Sequence, residues 1–198
     1  MAIKSPQDLL TQEVKEIHSA ERQLSRAIPT LAKAAGSEKL REMLQRRREQ
    51  GAILMEALDE ALEEMQVSKG RVKNVAIEGL IEDATQHVEE IEDEKMLDAA
   101  LIGAVPKVEH YCIAAWGTTR SMSQLFGQQK VVEAMERALE EGKRYDEELT
   151  QLAESEVNPA MLESGDGGEG EEEGEEEGGG KGGGKGSGSS KKSGGGKR

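Results

Sequence analysis

Residues 67–93 read VSKGRVKNVAIEGLIEDATQHVEEIED. The first part, Val67 to Asn74, is mostly polar and carries Gly70, which marks a loop. From Val75 to Glu92 apolar residues recur every three or four positions: Ile77, Leu80, Ile81, Ala84, Val88 and Ile91. That spacing predicts a short helix with one apolar face, either packed on the rest of the molecule or used as a dimer contact. The stretch as a whole is too long for a tight turn. It predicts a crossover, and what it crosses between decides the fold.

The flanking sequence is helical on both sides. Ser5-Pro6-Gln7-Asp8 is a helix start, with proline in the first turn and an acid near the positive end of the helix dipole. Helix is predicted over 7–35. Gly36-Ser37 breaks it, and Ser37 can cap a second helix over 38–66. Downstream, helix is predicted over 94–125, Gly127 ends it, and a last helix spans 128–156 until Asn158-Pro159 closes the fold. Pro29 and Pro106 fall inside helices and are expected to kink them. The short turns at Gly36 and Gly127 make antiparallel hairpins. Two hairpins joined by a long crossover are the connectivity of a ferritin-like four-helix bundle, all-α, with a short fifth helix in the crossover. An up-and-down bundle would have a short second loop instead.

Each long helix has an apolar stripe, and each stripe is broken near its middle. The first runs Leu10, Val14, Ile17, Glu21, Leu24, Ile28, Leu31, Ala35; the second passes through Arg47 and Gln50; the third is Ile102, Val105, Glu109, Cys112, Trp116; the fourth passes through Gly142 and Asp146. At 1.5 Å rise per residue, Glu21 and Gln50-Gly51 lie about 22 Å from the first turn. Glu109 and Asp146 are likewise equidistant from the second. Taken singly, each acid could sit at a stripe's edge and reach solvent. Three at one height argue for a buried carboxylate layer, which is costly unless cations neutralise it. A carboxylate-bridged metal pair is one solution in bundles of this connectivity. Arg47 offers another. It either pairs with two of Glu21, Glu109 and Asp146, giving a metal-free core, or lies with Arg46 and Arg48 on a solvated face.

Composition narrows the class. The 198 residues carry a net charge of −14, and aromatic residues make up only 2%. Sixteen of the 24 glycines lie from Ser164 onward, in a segment without apolar side chains. The expected division is a helical body over 1–160 and a disordered Gly/Glu/Lys-rich tail over 161–198. The acidic body argues against nucleic-acid binding, which is left only to the Lys-rich end of the tail. A single cysteine, Cys112, excludes an internal disulfide. MAIKSPQDLL has no apolar signal core, and no run approaches a membrane span, so a cytoplasmic protein is expected. No nucleophile triad, phosphate-binding loop or zinc-ligand spacing occurs; the GlyGlyGlyLys repeats of the tail lack the flanking elements of a P-loop.

Several motifs together carry a family resemblance. DAALIGAVPKVEHYCIAAWGT at 98–118 resembles the signature of the YciE/YciF family of ferritin-like proteins. HSAERQL at 18–24, EGLIE at 78–82 and LEEGKRYDEEL at 139–149 are similar to other blocks of that family. The resemblance covers residues 7 to 155. It implies a ferritin-like bundle, often dimeric, associated with stress responses and holding two metal ions. The departures fall in the layer. The family has Glu where Gln50, Cys112 and Gly142 stand, His or Gln at Leu54, and His at Arg47. Glu21, Glu109, Asp146 and Glu141 remain as the implied metal ligands, for iron or manganese if any metal is held. His18 and Cys112 are weaker candidates, and His110 is expected to have a structural or supporting role rather than to ligate; Tyr111 and Tyr145 could hydrogen-bond to the layer, but periodicity does not force it. Two functions follow: a homodimeric stress protein with a degenerate or lost metal site and a non-catalytic binding or structural role, or a di-iron or di-manganese protein handling iron or peroxide.

Overall fold

The computed structural model describes residues 3–165, and among these there is no β-strand. Six α-helices follow in order: α1 (Pro6–Ala34), α2 (Glu38–Glu64), α3 (Val75–Glu90), α4 (Glu94–Leu125), α5 (Gln129–Leu152) and α6 (Asn158–Gly165). A five-residue π-helical turn, Ala153–Val157, joins the last two.

The helix ends have local causes. Ser5 Oγ accepts from the Asp8 amide, Ser37 Oγ from Leu40, Asn74 Oδ1 from Ile77 and Asp93 Oδ1 from Met96. Each satisfies one amide that the first helical turn leaves without a partner. Between α4 and α5, Gly127 takes a left-handed φ of 64°, which glycine adopts without strain. Both Pro29 and Pro106 are accommodated within uninterrupted helices.

One expectation fails at the C-terminal end. Asn158-Pro159 does not close the fold, because the chain continues through the π turn into α6, past residue 160. Pro159 comes just after the π turn, in which the Asn158 amide donates to the Ala153 carbonyl five residues back. The remainder of the Gly/Glu/Lys-rich tail lies outside the described residues.

α1 packs on α2, and α4 on α5; contacts of α2 with α5 and of α1 with α4 close a ring of four long helices. α3 lies on α4 and α1, with Ile77 and Ala84 buried and Leu80, Ile81, Val88 and Ile91 packed against the core. The crossover's apolar strip is thus turned to the body of the protein. Its entry is held to α1: Ser19 Oγ donates to the Val72 carbonyl, and Asn74 Nδ2 donates to the Glu16 carbonyl and to Tyr111 Oη. The interior is built from Leu, Ile, Val, Ala and Met, with Trp116 and Tyr145 the buried aromatics. No helix among the described residues is long and apolar enough to cross a membrane.

Candidate functional site

The stripes of α1, α2 and α4 meet at Arg47, and α5 faces the same layer with Gly142. Although Arg46 and Arg48 are exposed, Arg47 is only 5% exposed and points inward from α2. Its fork grips Glu21 of α1 with two bonds, Nη1 to Oε2 at 2.9 Å and Nη2 to Oε1 at 3.0 Å. Its Nε donates to Glu109 Oε2 of α4 at 2.7 Å. Glu21 and Glu109 are each 1% exposed. Nη2 also lies 3.8 Å from Cys112 Sγ, and the guanidinium stands over the Trp116 ring, 5.5 Å from its centroid. Planar, bidentate pairing of this kind suits arginine far better than lysine. Of the two sequence-based readings of Arg47, the buried pair is the one found.

Two glycines make room for it. A Cβ on Gly51 would lie 2.6 Å from Glu21 Oε2 and 3.2 Å from Arg47 Nη1. A Cβ on Gly142 would lie 2.5 Å from Trp116 Cζ3 and 2.6 Å from Glu109 Oε1. Any larger side chain at either position would displace the buried carboxylate beside it.

Charge is unevenly matched in the layer, with two carboxylates facing one guanidinium. Burial opposes the charge on Arg47, but Glu21 and then Glu109 outweigh it and hold its pKa well above the ordinary value. Burial likewise pushes the Glu109 carboxyl up from its ordinary 4.5, with Glu21 and Asp146 adding to the rise and Arg47 opposing it. Burial also pushes up the Cys112 thiol, aided by the Glu21 charge, so Cys112 stays a protonated, packed thiol. Tyr145 is buried too, its pKa raised chiefly by burial, and its hydroxyl lacks a protein partner.

Asp146 and Glu141 do not join the ring around Arg47. The α5 residue facing Glu109 is Gly142, one helical turn before Asp146. Asp146 is instead half-buried, with Oδ2 2.9 Å from Nε2 of the exposed His110. Asp146 thus lies near the height of Glu109, beside the adjacent His110, and its charge still acts on Glu109, but it is turned to a different side of the helix pair from Arg47. Glu141 is half-buried at the edge of a cavity between α2 and α5. His18 faces Asp59, 2.9 Å away, rather than Glu21. Tyr111 is taken up by Asn74, not by the carboxylates.

A metal pair needs several free carboxylate or imidazole donors. Here both oxygens of Glu21 and one of Glu109 already accept from Arg47, and the guanidinium lies between them. Among the described residues, no group of three or more His, Cys, Asp or Glu is arranged to hold an ion. The residues present therefore do not fit a di-metal centre.

Two supporting residues escaped the sequence reading. Asp98 of α4 is 8% exposed and accepts from the Gly36 and Ser37 amides at 2.8 and 2.7 Å, clamping the α1–α2 turn. Asn74 both caps α3 and ties it to α1 and α4. An acid leading the apolar 98–118 run was the only sequence signal for the first; an Asn before the periodic stretch at Val75 was the signal for the second.

Residues 5–162 match the family model described as Domain of unknown function (DUF892). Protein YciF of Escherichia coli (strain K12) is 38% identical over 159 residues, spanning 80% of this chain and 96% of that protein. The crystal structure of the E. coli stress protein YciF matches with a TM-score of 0.75 at 38% identity, covering 79% of this chain and 99% of that one. YcfI from Rhodopseudomonas palustris, described as a candidate structural protein, matches with a TM-score of 0.71 at 30% identity, covering 75% and 94%.

Proposed function

The chain belongs to the DUF892 family, and on that premise we propose that it is a stress-associated, ferritin-like four-helix bundle whose mid-height layer is closed by Arg47 in place of a metal pair. In this reading it works as a cytoplasmic homodimer through a binding or structural role, with no redox or hydrolytic chemistry at the layer. The connectivity supports the bundle: two hairpins, α1–α2 and α4–α5, joined by the 67–93 crossover. The stress role rests on the likeness to YciF, which is described as a stress protein.

The observation that carries the proposal is the guanidinium between Glu21 and Glu109, bonded to both at 2.7–3.0 Å. It supplies, on the chain itself, a cation for carboxylates that would otherwise be buried unpaired. Elemental analysis of the full chain, loaded anaerobically with Fe²⁺ or Mn²⁺, tests it. The expected result is no stoichiometric metal. About two ions per chain, the content of a carboxylate-bridged pair, lost on Glu109→Ala, would overturn it.

A further inference from the structure

The cavity between α2 and α5 reaches inward to the layer. Its volume is about 350 Å³, and its buried end is formed by Arg47, Glu109, Trp116 and Gly142. Glu109 Oε1 is buried there and has no protein partner, whereas Oε2 is committed to Arg47. A buried carboxylate oxygen without a donor is costly to keep. Moreover, Glu21 and Glu109 share a single guanidinium, so the layer has one carboxylate more than it has cations.

We propose that this cavity binds a small primary alkylammonium ion, with its NH3⁺ seated on Glu109 Oε1 beside the Trp116 ring. This deepens the reading above, since it rests on Arg47 occupying the layer. The chemistry selects the ligand. A single free oxygen is too few donors for a metal ion, yet it is one strong acceptor for an ammonium group. The edge of Trp116 and the side-chain-free Gly142 leave room beside that oxygen. Leu54, Ala57 and Ala138 give the walls an apolar surface suited to an alkyl chain. The exposed end has Glu56, Glu60, Glu133 and Glu141 against Lys130 and Arg137, an acidic excess that attracts cations and repels anions.

Trp116 is the chain's only tryptophan and lines this cavity, so its emission reports on the layer without background from other indoles. The full chain is titrated with n-butylammonium chloride, with 1-butanol and potassium chloride as controls, and binding is checked by calorimetry. A saturable change with n-butylammonium at ionic strength of about 0.15 M, absent with both controls, is expected, because a buried ion pair is weakly screened. Ala57→Phe fills the cavity from a half-buried position without touching either carboxylate, and Glu109→Gln removes the charge. Each should weaken binding about tenfold or more. No saturation, an equal response to 1-butanol, or binding that survives both variants overturns the inference; if Glu109→Gln does not fold, Ala57→Phe decides. Metal analysis of the same preparation separates the two readings. Protein that takes up neither metal nor amine sinks the inference alone, and protein that takes up a metal pair sinks both.

Discussion

Replacing Arg47 by alanine removes the only cation among the described residues in contact with Glu21 and Glu109. Three charge-assisted bonds of 2.7–3.0 Å are lost together, and two carboxylates that are 1% exposed are left facing each other. Breaking a buried pair by removing one partner costs about 3–5 kcal/mol, most of it the desolvation of the group left behind. The carboxylates can relieve this by taking up protons, at about 1.4 kcal/mol per pKa unit, so the loss should be largest near pH 7 and smaller near pH 5. Arg46 is the internal control one residue away. Its side chain is 46% exposed, pairs with Glu148 and lies 5.8 Å from the Tyr145 centroid. Arg46→Ala should cost only about 0–1 kcal/mol. Urea unfolding followed by far-UV circular dichroism measures both, with equal slopes confirming the same extent of unfolding. Because a domain of this size is stable by only about 5–15 kcal/mol, a rescue variant is included. Glu21→Leu with Arg47→Met and Glu109→Leu should recover most of the loss, since apolar groups of similar size replace buried ion pairs at little cost. If Arg47→Ala is no worse than Arg46→Ala, the pairing at the layer contributes nothing and the reasoning fails.

Gly142→Ala should destabilise by about 1–3 kcal/mol from overpacking against Trp116 and Glu109, although alanine is the better helix former. Gly117→Ala, where a Cβ meets nothing within 4 Å, should instead stabilise by about 0.5–1 kcal/mol; urea midpoints that shift the same way for both would contradict the packing argument. Asp98→Ala should cost about 1.5–3 kcal/mol by stripping two amides of a charged acceptor, with Asp98→Asn intermediate, and an unchanged midpoint would mean the turn holds itself. Glu109 is pushed above 4.5 by burial, so the folded protein binds more protons than the unfolded chain between those two values. Its contribution is therefore full below about pH 4.5 and lost as pH rises through the folded pKa. The stability of the parent relative to Glu109→Gln should fall with rising pH and then level off, and a difference that grows with pH would reverse the sign.

Most of the architecture was legible because it rests on periodicity and local caps. The stripes through Glu21, Arg47 and Glu109 are buried where the 3.6-residue repeat put them, and Ser37 and Gly127 stand at the turns. Direction around the helix axis was less legible. Counting residues from a turn placed Gly51 opposite Glu21 and Asp146 near the height of Glu109 and His110, but such a count says nothing about which way a side chain turns. Asp146 gives its Oδ2 to His110 rather than to Arg47, with its Oδ1 buried and without a protein partner. The Asn158-Pro159 stop failed because the helical run passes through a π turn just before the proline and continues into α6. The role of Asp98 was not legible from local pattern beyond an acid leading an apolar run, because its partners, Gly36 and Ser37, are 62 and 61 residues away along the chain.

The Arg47 pair has a thermodynamic corollary. A counterion that must be recruited from solution stabilises a fold in proportion to the logarithm of its free concentration, so such a protein weakens whenever the supply runs low. A guanidinium carried on α2 has no supply to run low. Its local concentration is fixed by the backbone, and it is present at the same strength in the first folded copy as in the last. The pairing of Glu21 and Glu109 with Arg47 is thereby uncoupled from the metal supply around the protein, and what is left for the medium to act on is the uncommitted oxygen of Glu109.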